Sequence, residues 1–84
     1  MASRDFLAAQ LLRQRRIDRG LSPEGLSQAL DEARLGPVSG RQIRRIEAEG
    51  IVPTPRVQHA IATFFATTPT SIWQLEPLDR SRVA

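Results

Sequence analysis

The sequence predicts a small all-α domain built from five helices. Its 84 residues, 40% of them hydrophobic, are enough for one globular domain and too few for two. Apolar residues recur at intervals of three and four in segments that glycine and proline separate, which is typical of amphipathic helices. No alternating apolar pattern of four or more residues occurs in the sequence, so we expect no strand.

Apolar stripes and stop signals predict the first two helices. The first stripe spans residues 3–19, and Gly20 marks its end. Ser22 followed by Pro23 is typical of a helix start, because serine favours the N-cap and proline favours the first helical position. The second stripe runs from there to about Arg34, after which a glycine-proline pair ends it. These signals predict two amphipathic helices.

The third helix has the best-marked start. Ser39 and Gln42 have the form of a capping box, and Val38 and Ile43 are spaced as the hydrophobic staple that accompanies it. Beyond this start the aliphatic residues fall on one face, while arginine dominates the other. We therefore predict a helix over residues 39–49 with a strongly basic outer face.

Threonine-proline pairs predict the starts of the last two helices. Thr54-Pro55 opens the fourth helix, whose apolar stripe makes it the main contributor to the core. Thr68-Pro69 opens a short fifth helix, and Pro77 ends it. The aromatic side chains of these helices are expected to pack in the core rather than to stack on nucleobases; they are Phe64, Phe65 and Trp73.

Composition and motif content exclude several functional classes. With no cysteine there is no disulfide framework, thiolate nucleophile or cysteine zinc site. His59 is the single histidine, and neither a nucleophile elbow nor a glycine-rich phosphate loop accompanies it, so we expect no enzyme, metal, cofactor or small-molecule substrate. The longest apolar run, residues 60–66, is too short to cross a bilayer, and we expect a cytoplasmic protein without a signal peptide or membrane partner. We expect one domain over residues 1–77 and a loose tail over residues 78–84.

All twelve basic residues are arginine, and the formal net charge is +3. The planar fork of arginine suits phosphates and guanine edges, so this bias is compatible with nucleic-acid binding. Coding bias from a GC-rich genome is the simpler explanation for the missing lysines. The positions of the arginines are therefore more informative than their number.

One segment carries a family signature. Residues 38–47 read V-S-G-R-Q-I-R-R-I-E, which combines a cap, a staple and a terminal acid at fixed offsets. Shorter matches lie in order on either side, at residues 12–16, 20–22, 26–30, 53–54, 61–62 and 72–73. This order resembles the helix-turn-helix domain of the lambda repressor and Cro type, also called the XRE family, over about residues 10–75. The resemblance implies a five-helix, lambda-repressor-like DNA-binding domain whose third helix enters the major groove.

The chain departs from the family pattern near its second and third helices. An insertion of about six residues falls within residues 31–37, so we expect a lengthened connection between helix 2 and helix 3, formed either by a longer helix 2 or by a bulging loop. Pro23 stands where the family often has a glutamine that clamps a phosphate, and Gly40 stands where a base-reading side chain is common. The resemblance therefore supports the fold more strongly than it supports particular base contacts.

The resemblance and the helix starts together predict a DNA-binding surface. The family's base-reading positions correspond to Gly40, Arg41, Arg44 and Arg45. Two of these, Arg41 and Arg44, are the first choices, because arginine can donate two hydrogen bonds to guanine O6 and N7. Candidate phosphate contacts lie at helix N-termini and on flanking cations, namely Arg13, Ser22, Ser39, Gln42, Thr54 and Arg56. For the serines and threonine, N-capping is an alternative role that is compatible with phosphate binding.

An ion pair between the first and third helices is also expected. The apolar stripe of helix 1 continues onto Arg15 and Arg16, and a partly buried arginine needs an acidic partner. The family pairs an arginine late in helix 1 with the glutamate near the end of the recognition helix. The resemblance therefore implies a structural ion pair between Arg16 and Glu47.

The sequence predicts a sequence-specific transcriptional regulator, phage or bacterial, of the repressor or Cro kind. It would read the major groove of double-stranded DNA with the helix at about residues 39–49. A homodimer, formed through helix 5 and the tail or through the first helix, is one option beside monomeric binding. Two other functions stay open: a protein-interaction module on the same fold, such as an antitoxin or a phage protein that binds a host factor, and an excisionase-like architectural DNA binder.

Overall fold

Five helices follow one another through residues 4–73, the part of the chain that the computed structural model describes. They are α1 (Phe6–Asp18), α2 (Pro23–Glu32), α3 (Gly40–Glu49), α4 (Pro55–Phe64) and α5 (Pro69–Ile72). Within the described residues the only β-type pairing is one isolated bridge between Arg4 and Ile51. The predicted all-α class is confirmed. Over this range no helix is long and apolar enough to cross a membrane.

Side-chain capping explains where three of the helices begin. Asp5, Ser22 and Ser39 each accept a hydrogen bond from the backbone N–H three residues further on, at 2.9 to 3.0 Å. The first helix begins at Phe6, later than predicted, because Asp5 is its N-cap. At the N-cap of α4, Thr54 makes no such hydrogen bond, so Pro55 at the first helical position is the remaining start signal there.

The connection between α2 and α3 spans residues 33–39, and α2 ends two residues before the predicted Arg34. The second helix ends at Glu32 because Arg34 adopts a left-handed conformation with φ of 62°. The N–H of Arg34 donates to the carbonyl of Asp31, and the N–H of Leu35 donates to the carbonyl of Leu30. This pattern is the Schellman motif, which ends a helix and satisfies its last carbonyls.

The core lies where all five helices meet. Its buried members from the helices and their connections are Ala8, Leu12, Leu26, Leu30, Val38, Ile43, Ile46, Val57, Ile61, Phe65, Ile72 and Trp73. Phe64 is partly buried against this cluster, and its ring meets that of Phe65 edge to face. The prediction that the aromatic side chains pack in the core is confirmed. Burying each large aliphatic side chain contributes about 1.5–3 kcal/mol, so the cluster orients every helix.

The last helix is shorter than the sequence predicted. It ends at Ile72, and Trp73 is its C-cap residue, with the backbone N–H bonded to the carbonyl of Pro69. Trp73 is buried although it lies beyond the helix. The predicted stop at Pro77 and the predicted tail over residues 78–84 lie outside the described residues.

The segment before α1 holds the C-terminal end of α3. An Nη atom of Arg4 donates to the carbonyl of Glu49 at 2.7 Å, and the N–H of Asp5 donates to the carbonyl of Gly50 at 2.7 Å. Gly50 ends α3 in the left-handed conformation, and a Cβ at this position would lie 3.0 Å from the ring of Phe6. A positive charge at a helix C-terminus is favourable, so this clamp supports α3 at its far end.

Candidate nucleic-acid interface

The third helix presents one apolar and one basic face. Ile43 and Ile46 are fully buried against the core. Arg41, Arg44 and Arg45 are exposed on the remaining surface of the helix, as the helical period requires. Within the described residues α3 packs against both α1 and α2, which leaves the arginine-bearing side largely open.

The Arg16–Glu47 ion pair fixes α3 to α1. The Nε and one Nη of Arg16 donate to the two carboxylate oxygens of Glu47, both at 2.8 Å, and the other Nη donates to the carbonyl of Leu21 at 2.7 Å. The two side chains are 11% and 9% exposed. Hydrogen bonding to Glu47 raises the pKa of Arg16 above its usual value. Such a bidentate pair holds the two helices in one relative orientation.

Glu24, in the first turn of α2, covers the start of the arginine face. Its carboxylate forms an ion pair with Arg44, and both side chains are about half exposed. A Cβ on Gly40 would lie 3.2 Å from the Cγ and 3.2 Å from a carboxylate oxygen of Glu24. The absence of a side chain at Gly40 therefore lets α2 and α3 approach closely, and Gly40 is partly covered rather than open.

The other two arginines of this face differ in their surroundings. Arg45 lies 3.5 Å from a carboxylate oxygen of Glu49, one turn further along the same helix. Arg41 has no carboxylate partner among residues 4–73. Both arginines line an open groove of about 330 Å³ between α3 and the loop that follows it. Among the described residues, therefore, no acidic side chain competes with a ligand for Arg41.

The predicted phosphate contacts do not all lie together. Ser39 and Gln42 line the groove that Arg41 and Arg45 share, and Arg13 lines a second depression on the other side of α3, with Arg44. The remaining three lie at the starts of α2 and α4. Ser22 and Thr54 are exposed at the helix starts, and an Nη of Arg56 donates to the carbonyl of Pro37 at 3.1 Å.

Two residues of this surface were missed by the sequence analysis. Glu24 occupies the first turn of a helix, where an acid is common for reasons unrelated to binding, so the pattern contains no sign of its contact with Arg44. Arg4 falls inside the first predicted helix, whereas in the structure it precedes the N-cap Asp5, and its hydrogen bond to the end of α3 spans 45 positions of the sequence. Local sequence signals do not report contacts of this kind.

The described part of the chain holds no cluster of histidine, aspartate or glutamate side chains that could bind a metal ion. His59 is exposed on α4, apart from the arginine face.

Comparison with known proteins gives one family. A family model described as a helix-turn-helix domain matches residues 7–72, from the first turn of α1 to the end of α5. No curated protein and no solved structure matches the chain.

Proposed function

The chain belongs to the helix-turn-helix domain family, and we propose that it is a sequence-specific transcriptional regulator of the lambda repressor and Cro (XRE) type that binds double-stranded DNA. It would act in the cytoplasm of a bacterium, as a host or phage protein, and would need neither a cofactor nor catalysis. In this proposal residues 1–77 form the DNA-binding domain.

The observation that carries the proposal is the open arginine face of α3. The major groove admits an α-helix, and each base pair presents a distinct pattern of donors and acceptors there. Arg41 and Arg45 are exposed on a helix whose other side is buried and whose orientation the Arg16–Glu47 pair holds. A helix held in this way can insert its side chains without reorganising the domain, which lowers the entropic cost of binding.

Phosphate contacts on both sides of the face would set the position of α3 in the groove. Arg13 supplies a cation beside Arg44, and Ser39 with Gln42 lies beside Arg41 at the N-terminus of α3. Contacts to phosphate orient a protein on DNA, while contacts to base edges give specificity. Ser22, Thr54 and Arg56 are proposed to contact the backbone at the outer edges of the interface.

The experiment that tests the proposal begins with selection of bound duplexes from a random-sequence pool, followed by gel-shift titration at two salt concentrations. We expect one sequence to be enriched and its affinity to fall steeply with salt, with a slope of about −0.9 per neutralised phosphate. Arg41→Ala should reduce discrimination at one base pair by about 1–3 kcal/mol.

Arg19→Ala is the charge-matched control. Its guanidinium lies 5.2 Å from the ring centroids of both Phe64 and Phe65, on the α4 side of the molecule. We expect this variant to keep the base preference of the original protein. Equal base preference in the Arg41→Ala variant and the original protein would exclude Arg41 from base recognition.

A protein-interaction module is the second candidate, and one observation favours it. The adjacent side chains of Phe6 and Leu7 are 59% and 61% exposed at the start of α1. Large apolar side chains that lie together on a surface are typical of contacts with another protein or a second copy of the chain. If selection enriches no duplex and a pull-down returns one stoichiometric protein partner, this candidate replaces the DNA-binding proposal. Binding of all duplexes alike, with DNA bending, would instead indicate an architectural protein.

A further inference from the structure

We propose that Glu24 is a specificity-determining residue, because its ion pair with Arg44 directs this arginine towards base edges and away from phosphates. The inference rests on the proposed function, since it concerns how the arginine face of α3 discriminates between DNA sequences. Glu24 belongs to α2 and Arg44 to α3, so the pair spans the two helices that would meet the DNA.

The position of Glu24 is set by packing as well as by charge. Its Cα and Cγ lie against Gly40, at 3.3 and 3.2 Å from where a Cβ would be, so the stem of the side chain rests on the first turn of α3. Gly40 and Arg44 are four residues apart and therefore lie on the same side of the helix. The carboxylate of Glu24 consequently contacts Arg44 from the side of Gly40, at the N-terminal end of the arginine face.

The ion pair disfavours contact of Arg44 with a phosphate but leaves its contact with a base edge available. A carboxylate and a phosphate repel each other, so Arg44 cannot approach a phosphate without bringing Glu24 close to it or leaving Glu24 unpaired near the DNA backbone. A guanidinium has five N–H donors, more than the two that a bidentate pair with the carboxylate of Glu24 would use, which leaves donors of Arg44 for guanine O6 and N7. Glu24 therefore weakens non-specific binding while a base contact by Arg44 remains available.

The strength of the effect depends on DNA being present. In water a half-exposed ion pair contributes little, because solvent screens both charges. Against DNA, solvent is excluded and the field of the phosphates is strong, so the same carboxylate has a larger influence. We therefore expect the loss of Glu24 to change the discrimination between DNA sequences and to change the stability of the folded protein little.

The test compares Glu24→Gln with Glu32→Gln, a variant that removes the same charge from the other end of the same helix. Glu32 is exposed and forms no ion pair with an arginine among residues 4–73. The probes are a duplex that the original protein selects from a random pool, a scrambled version of it, and a set with each guanine replaced in turn. Thermal melting of each variant, followed by circular dichroism, establishes that it is folded before binding is measured.

We expect Glu24→Gln to lower the ratio of affinities for the selected and scrambled duplexes by about tenfold, within the range of one bidentate base contact. Most of this decrease should come from tighter binding to the scrambled duplex. The preference for guanine should be lost at the same position of the duplex at which Arg44→Ala also removes it. In the Arg44→Ala background the same substitution should no longer change base preference.

Two results would overturn the inference alone: a Glu24→Gln variant that behaves as Glu32→Gln does, or one that changes base preference equally with and without Arg44. If the original protein selects no duplex, the proposed function fails and this inference fails with it. The first step of the experiment therefore distinguishes the two failures.

Discussion

Arg16 and Glu47 form the contact on which the position of α3 most depends. Both carboxylate oxygens of Glu47 are used, and the third hydrogen bond of Arg16 goes to the backbone just before α2. Glu47 raises the pKa of Arg16 above the ordinary arginine value. The ion pair therefore stabilises the fold fully at any pH below the ordinary arginine pKa, and this stabilisation is lost only as the pH rises through the raised pKa. Over the usual experimental range Arg16 therefore keeps its charge.

Removing Glu47 should destabilise the fold strongly. In Glu47→Ala, Arg16 would keep its charge in a mostly buried position without an acidic partner, which costs about 3–5 kcal/mol. Urea denaturation followed by circular dichroism measures the loss in the free energy of unfolding.

Glu49→Ala is the control for this prediction, because it removes a carboxylate from the same helix at a position that is 44% exposed. Its ion pairs with Arg4 and Arg45 are long, at 3.9 and 3.5 Å, so we expect a loss below about 1 kcal/mol. Equal losses in the two variants would show that the buried pair has no special structural role.

At the residue scale, the sequence predicted contacts that follow from a pattern and missed contacts that depend on the packing of two elements. A cation on the apolar stripe of α1 demanded an acidic partner, and the family resemblance pointed to Glu47. Nothing in the sequence links Glu24 to Arg44, because their contact exists only after α2 and α3 pack at Gly40. The sequence also gives no sign of the left-handed conformation of Arg34, since arginine is not a residue type that favours it.

At the element scale, α3 has both ends fixed. Ser39 caps the N-terminus through the N–H of Gln42, with the neighbouring Val38 and Ile43 both buried, and Gly50 closes the C-terminus under the side chain of Phe6. All of these features except the contact with Phe6 follow from local sequence signals. The starts of α2 to α5 were predicted for the same reason. The ends of α2 and α5 were not, because the left-handed Arg34 ends α2 and because the buried Trp73 lies beyond α5.

The capping arrangement predicts different costs at two similar positions. Ser39→Ala should lower the free energy of unfolding by about 1 kcal/mol, because it leaves the N–H of Gln42 without its side-chain acceptor. Thr54→Ala, at the N-cap of α4, should cost less than about 0.5 kcal/mol, since Thr54 makes no capping hydrogen bond. Thermal or urea denaturation of both variants measures the difference, and a larger loss at Thr54 would contradict the capping assignment.

At the scale of the whole molecule, three anchors turn the basic side of α3 outward. They are the core contacts of Ile43 and Ile46, the ion pair to α1, and the hydrogen bonds from Arg4 and Asp5 at the far end. The sequence predicted the first two, and it missed the third because the contacts of Arg4 and Asp5 with the end of α3 join positions that lie far apart in the sequence. The surplus of positive charge would draw the domain to DNA, and the anchored helix would give the complex its register.

Methylation protection of guanine N7 by dimethyl sulfate tests the claim that this side of α3 reads the major groove, because N7 is accessible only there. On a duplex selected by the original protein, we predict protected guanines, loss of protection at one or more of them in Arg41→Ala, and unchanged protection in Arg19→Ala. A bound duplex whose guanines all stay reactive, or an Arg41→Ala variant that protects the same guanines at equal occupancy, would contradict the account.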